Sequence, residues 1–93
     1  MSSTSGNATY TISYTGVDSS TGQVISFPGP ITAFMVIVRG GATATFTGTM
    51  AGSTAAQFSG ALSWPVGGNT PNKPLGTLKS TAGTIDADVF AWR

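Results

Sequence analysis

The 93-residue sequence contains no cysteine and no histidine. The first absence excludes disulfides, and the two together exclude thiolate and imidazole metal sites. Glutamate is missing as well, so the only side-chain carboxylates are Asp18, Asp86 and Asp88. General acid–base catalysis wants a group that titrates near neutrality, most often a histidine or a perturbed carboxylate. The many Ser and Thr hydroxyls have no base to activate them as nucleophiles. Asp86 and Asp88 lie two apart and share a strand face. Without further acidic ligands they read as a charged outer surface that discourages strand-edge aggregation. The expectation is a protein that is not an enzyme and uses no cofactor.

Charge is scarce in both signs. Lys73, Lys79, Arg39 and Arg93 are the only basic side chains, and 8% of residues are charged, against about 25% in an average chain. Four scattered cations make no phosphate-tracking stripe, so no nucleic acid is expected as a partner. The longest apolar run, Ile31 to Val38, is interrupted only by Thr32 and is too short to span a bilayer as a helix, so membrane insertion is not expected. Residues 1–7 lack the basic and apolar regions of a secretory signal. Synthesis in a cytoplasm without a signal peptide is therefore expected. Gly67-Gly68 lacks the Lys-Ser/Thr and the helix of a phosphate loop, and the sequon Asn7-Ala8-Thr9 reads as chance.

What is present is β-sequence. Residues 1–7 carry no apolar anchor and read as a flexible arm; residues 8–93 form a single domain. Ala8, Tyr10, Ile12 and Tyr14 alternate with hydroxyl residues, the period of a half-buried strand. Turn residues fill 16–22, and a second strand over Gln23–Phe27 is stopped by Pro28-Gly29-Pro30. Ile31 to Arg39 is apolar on both faces, as in a strand covered on both sides. Gly40-Gly41 suits a tight hairpin into a strand, Ala42–Met50, whose one face is a row of threonines. A weak repeat links Ala44–Met50 to Ala56–Leu62 as strand–turn–strand. The Pro-, Gly- and Asn-rich stretch 63–83 reads as a long loop, with a short edge strand over Leu75–Lys79. Thr84 to Trp92 alternates again. Helix formers at helical spacing are lacking. The fold class is all-β: a small antiparallel β-sandwich or barrel of six to eight strands, jelly-roll-like or meander in topology.

Two sets of residues stand out. On the last strand, Ile85, Ala87, Val89 and Ala91 form one face, so Phe90 and Trp92 belong to the other. Either a β-bulge turns those rings into their own core, or they meet another subunit. With Met35 and Val36 of the doubly apolar strand they form the expected subunit interface. The second set, Trp64, Asn69, Asn72 and Lys73, is a candidate ligand loop, because carbohydrate sites combine an aromatic platform with amide groups.

A domain this short buries a small core and usually needs a disulfide, a metal or a partner chain. With the first excluded and no metal set in view, self-association remains. In kind, the whole chain resembles the small structural proteins of virus and phage particles, which are often cysteine-free β-domains rich in Thr, Ser, Gly and Ala. The resemblance implies a homo-oligomer that packs with other assembly proteins in a virion, as capsid decoration, minor capsid or tail protein. The alternative is a lectin-like carbohydrate-binding module.

Overall fold

A computed structural model of the chain describes residues 8–48, 55–66 and 70–93. The expected arm over 1–7, Asn7 of the sequon, Thr49 and Met50, the turn at 51–53, Gly67-Gly68 and Asn69 lie outside the described residues. The strands are β1 (Tyr10–Val17), β2 (Gln23–Ile25), β3 (Ala33–Val38), β4 (Thr43–Gly48), β5 (Ala55–Ser59), β6 (Ala61–Pro65), β7 (Gly76–Ser80) and β8 (Ile85–Trp92). A short 3-10 turn, Arg39–Gly41, joins β3 to β4. The eight strands form two antiparallel four-stranded sheets, in the orders β1-β8-β3-β6 and β2-β7-β4-β5.

The topology follows from one pairing rule. β1 pairs with β8, β2 with β7, β3 with β6 and β4 with β5, all antiparallel. The chain is thus one long hairpin folded at the β4–β5 connection. Curling that hairpin across two layers brings β8 against β3 and β7 against β4. The result is the jelly roll, a double-sheet arrangement that limits exposed strand edges. Of the two expected topologies, the meander does not form: among the described residues, β4 and β5 are the only consecutive strands that pair.

Three expectations are corrected here. Gly40 and Gly41 do take positive φ, 75° and 70°, but they close no β3–β4 hairpin. They carry the chain from one sheet to the other, so that Phe34 of β3 meets Phe46 of β4 across the interior, centroids 5.5 Å apart. The second repeat copy, 56–62, is not one strand; it breaks at Gly60 (φ 74°), where β5 leaves one sheet and β6 enters the other. The expected 63–83 loop is divided by β7 into the stretch between Pro65 and Gly76 and a short turn after Ser80, and β7 is an inner strand rather than an edge. Within the first stretch, the Lys73 N–H donates to the Thr70 carbonyl at 3.1 Å, and Asn72 has φ 62°. Proline at the second position and positive φ at the third define a type II turn.

The core lies between the sheets. β8 contributes Ile85, Ala87, Val89 and Ala91, and β3 contributes Phe34, Val36 and Val38, all buried. The small β8 residues leave room for rings supplied by other strands. These form a continuous chain of contacts: Tyr10 on Phe27, Phe27 on Phe34, and Phe34 on both Phe46 and Trp64, with Phe58 edge-on to Trp64. Stacked, tilted and edge-on aromatic pairs of this kind contribute about 0.5–1.5 kcal/mol each beyond area burial. The Phe46 ring fits because Gly48, two residues farther along β4, and Gly76, opposite Gly48 on β7, face each other without side chains. A Cβ at Gly76 would run into the Phe46 ring and sit 2.6 Å from the Thr47 carbonyl oxygen. Backbone cannot yield as a flexible side chain does. Gly76→Ala should therefore cost about 1–3 kcal/mol, seen as a fall of roughly 5–20 °C in the thermal unfolding midpoint of a domain this size. An unchanged midpoint would contradict this packing.

Candidate functional site

The outer face of the β1-β8-β3-β6 sheet gathers most of the expected interface residues. Alternation along β8 is unbroken: its buried residues face the core, while Asp86, Asp88, Phe90 and Trp92 face outward. On β3, Ala33, Met35 and Ile37 share that outer face. Cross-strand register places Phe90 between Met35 and Thr11, Trp92 beside Ala33, and Asp88 between Ile37 and Ser13. Farther out on β6, Pro65 lies beside Ala33 and Ser63 beside Met35. The centre of the face is thus an apolar strip of Ile37, Met35, Phe90, Ala33 and Trp92. The hydroxyls of Thr11, Ser13 and Ser63 flank it. The rings are half-buried by their neighbours on the sheet.

Val36, named with this group from sequence, does not belong to it. Its side chain is 0% exposed in the core, because strand alternation sends it opposite to Met35. The β-bulge considered for β8 is also absent; the register shift in this pair lies on β1, between Tyr14 and Val17. The aromatic end of β8 is held by its own chain. The Trp92 carbonyl accepts from the Thr32 N–H at 2.7 Å, and the Thr9 N–H donates to the Ala91 carbonyl at 2.7 Å. The Arg93 N–H donates to Thr9 Oγ1 at 3.1 Å. Backbone pairing on both sides therefore fixes the strand, leaving Phe90 and Trp92 displayed rather than needed as anchors.

Charge enters this face at one corner. Asp88 Oδ1 accepts from Ser13 Oγ at 2.7 Å and from Arg39 Nη2 at 3.1 Å. With Arg39 48% exposed, the pair contributes at most about 1 kcal/mol. Asp86 Oδ1 accepts the Gly16 N–H at 3.2 Å. Each carboxylate has its own protein partners, and among the described residues no group of three or more acidic, Cys or His side chains could hold a metal ion.

The outer face of the other sheet is its opposite in chemistry. There the register sets Thr43 beside Ser59, Thr45 between Gln57 and Lys79, and Thr47 beside Thr77. Among the described residues, Val24, 47% exposed, is the one large apolar side chain left open to solvent on it. One outer face is therefore lined mainly by hydroxyls, and the other carries a half-buried apolar strip between hydroxyl and carboxylate residues.

The candidate ligand loop separates in space. Trp64 is on β6 rather than in a loop, and it faces inward, with centroids 5.2 Å from Phe34 and 4.5 Å from Phe46. The ring is half-buried against phenylalanines, so it does not stand in the loop beside Asn72 and Lys73 as the candidate site requires. Asn72 and Lys73 are exposed in the type II turn, and the Asn72 N–H donates to the Phe27 carbonyl at 2.8 Å. Compared with known protein families, curated proteins and solved structures, the chain matches none.

Asp18 was not singled out from sequence, yet it organises the β1–β2 corner. Its Oδ1 accepts the N–H groups of Gly22 (2.6 Å) and Thr21 (3.0 Å), and Ser20 Oγ donates to Oδ2 at 3.4 Å. The Gly22 N–H first, then the others, stabilise the carboxylate and hold its pKa below the ordinary aspartate value. A folded-state pKa depressed in this way adds stability above the unfolded value of about 3.9 and loses it as pH falls through the folded value. Thermal melts in acid should therefore show a fall in midpoint below about pH 4 that is shallower in Asp18→Asn. Parallel profiles for the two proteins would show that this corner contributes nothing to acid stability.

Proposed function

We propose that the chain is a non-enzymatic, self-associating jelly-roll domain, a structural component of a virus or phage particle. The observation that carries this reading is the contrast between the two outer faces. A lone sandwich has no physical use for Trp92, Phe90, Met35 and Ile37 on a surface whose counterpart is threonine. The strip is half-buried by its own sheet, but its residues face outward together and are rimmed by hydroxyls, and aromatic residues with methionine are enriched at interface centres. Covering apolar surface contributes about 25 cal/mol per Å², and the charges of this face are gathered at the Asp86, Asp88 and Arg39 corner, away from Trp92 and Ala33. Jelly rolls serve as capsid domains as well as lectins and cupins. The fold alone therefore does not choose among them. The face favours assembly, together with the composition and the separation of Trp64 from Asn72 and Lys73.

The test is the double variant Phe90→Ser/Trp92→Ser, followed by sedimentation. The wild-type chain should sediment as a multiple of 9.3 kDa, and the variant should drop to smaller species while keeping its β-type circular dichroism. Met35→Asn, which removes one outward side chain beside Phe90, should shift the same equilibrium less. A folded double variant with wild-type sedimentation would remove this face from the assembly.

A further inference from the structure

We infer that β1 is a second contact with another copy of this chain, formed by antiparallel pairing of β1 with its two-fold-related β1. The inference rests on the self-association proposed above and adds a surface distinct from the apolar face.

Four strands lie at sheet edges: β1, β6, β2 and β5. Proteins blunt such edges with short strands, proline, charge or bulges. β2 has three residues and runs into Pro28 and Pro30, β6 ends on Pro65, and β5 has five residues. β1 has eight residues, with no proline and no charge. Its one irregularity falls after Tyr14, so Tyr10 to Tyr14 is a regular ladder with one side paired to β8. Among the described residues, no strand pairs with its other side.

The sequence of this edge is nearly its own mirror. Thr9-Tyr10-Thr11-Ile12-Ser13-Tyr14-Thr15 reads the same outward from Ile12 in both directions, with Ser13 standing for Thr. Antiparallel pairing about a two-fold axis at Ile12 sets Ile12 opposite Ile12 of the second copy. Tyr10 then faces Tyr14, and Thr11 faces Ser13. Every position meets its own chemistry, on the correct face, and no charge opposes another. Aromatic pairs and hydroxyl pairs are favourable cross-strand neighbours. A two-fold contact requires this self-complementarity. β4 is nearly symmetric about Phe46 as well, Thr43-Ala44-Thr45-Phe46-Thr47-Gly48, but it is an inner strand already paired on both sides. The joined sheets would run continuously through two sandwiches, with both apolar faces on the same side of the pair.

Because the chain has no cysteine, cross-linking reads the register directly. Thr11→Cys and Ser13→Cys proteins are mixed and oxidised, with Thr47→Cys, on the outer face of the other sheet, as control. The disulfide joining position 11 of one copy to position 13 of the other should form roughly a hundredfold faster than control disulfides, since paired thiols have millimolar effective concentrations. Cross-linking at the control rate would overturn the β1 contact, while leaving the sedimentation result on Phe90 and Trp92 to stand or fall alone. The same mixture in the Phe90→Ser/Trp92→Ser background should still cross-link. Loss of the disulfide there, in folded protein, would show that the apolar face rather than the edge had brought the thiols together, and would overturn the inference.

Discussion

The antiparallel pairing of β1 with β8 is the constraint on which the rest of the structure depends. These are the first and last strands, so their ladder closes the largest loop in the chain. Once it exists, the pairings β2–β7, β3–β6 and β4–β5 follow inward as rungs of one folded hairpin. β8 is then an inner strand, with β1 on one side and β3 on the other. Its alternation sets the polarity of the whole sheet: Ala87, Val89 and Ala91 inward, Asp88, Phe90 and Trp92 outward. A slip of one residue would exchange these sets and bury a carboxylate. Such non-local pairing is slow to form and depends on few other devices here. There is no disulfide to help, and burial between the sheets carries the stability.

Much of this is legible in the residues. Period-two alternation located the main strands, and the absence of helix formers settled the class. The run Ile31 to Val38 indicated an inner strand, and β3 is one. Its outer face is half-covered by neighbours in its own sheet rather than fully buried. The pairing partners were not legible. Gly40-Gly41 permits the positive φ of a hairpin, but the same φ serves a crossover between layers. Local turn chemistry cannot tell these apart, because the choice depends on where β8 and β7 lie. Val36 was misassigned for a related reason. In a strand apolar on both faces, hydropathy does not reveal which face meets the other sheet.

The candidate site shows the same division. Phe90 and Trp92 face outward as β8's alternation implies, and Met35 joins them through the β3–β8 register. Trp64 belongs to the core because β6 begins before the proline-rich stretch, so loop composition concealed a strand residue. Asp18 was overlooked because an Asp-Ser-Ser-Thr-Gly turn is common. Its role depends on three donors converging on one side chain, and spacing alone does not display that convergence.

The sandwich has two unlike sides, hydroxyls on one face and an apolar strip on the other, with an edge beside the strip that is regular and nearly symmetric from Tyr10 to Tyr14. A face and an edge, each joined to its like as proposed, would extend an assembly beyond a dimer. The most direct test of the central claim, self-association, is the molar mass of the unmodified chain by light scattering over a wide concentration range. The account predicts a mass that exceeds 9.3 kDa and grows with concentration. A folded protein that stays at 9.3 kDa throughout would contradict it.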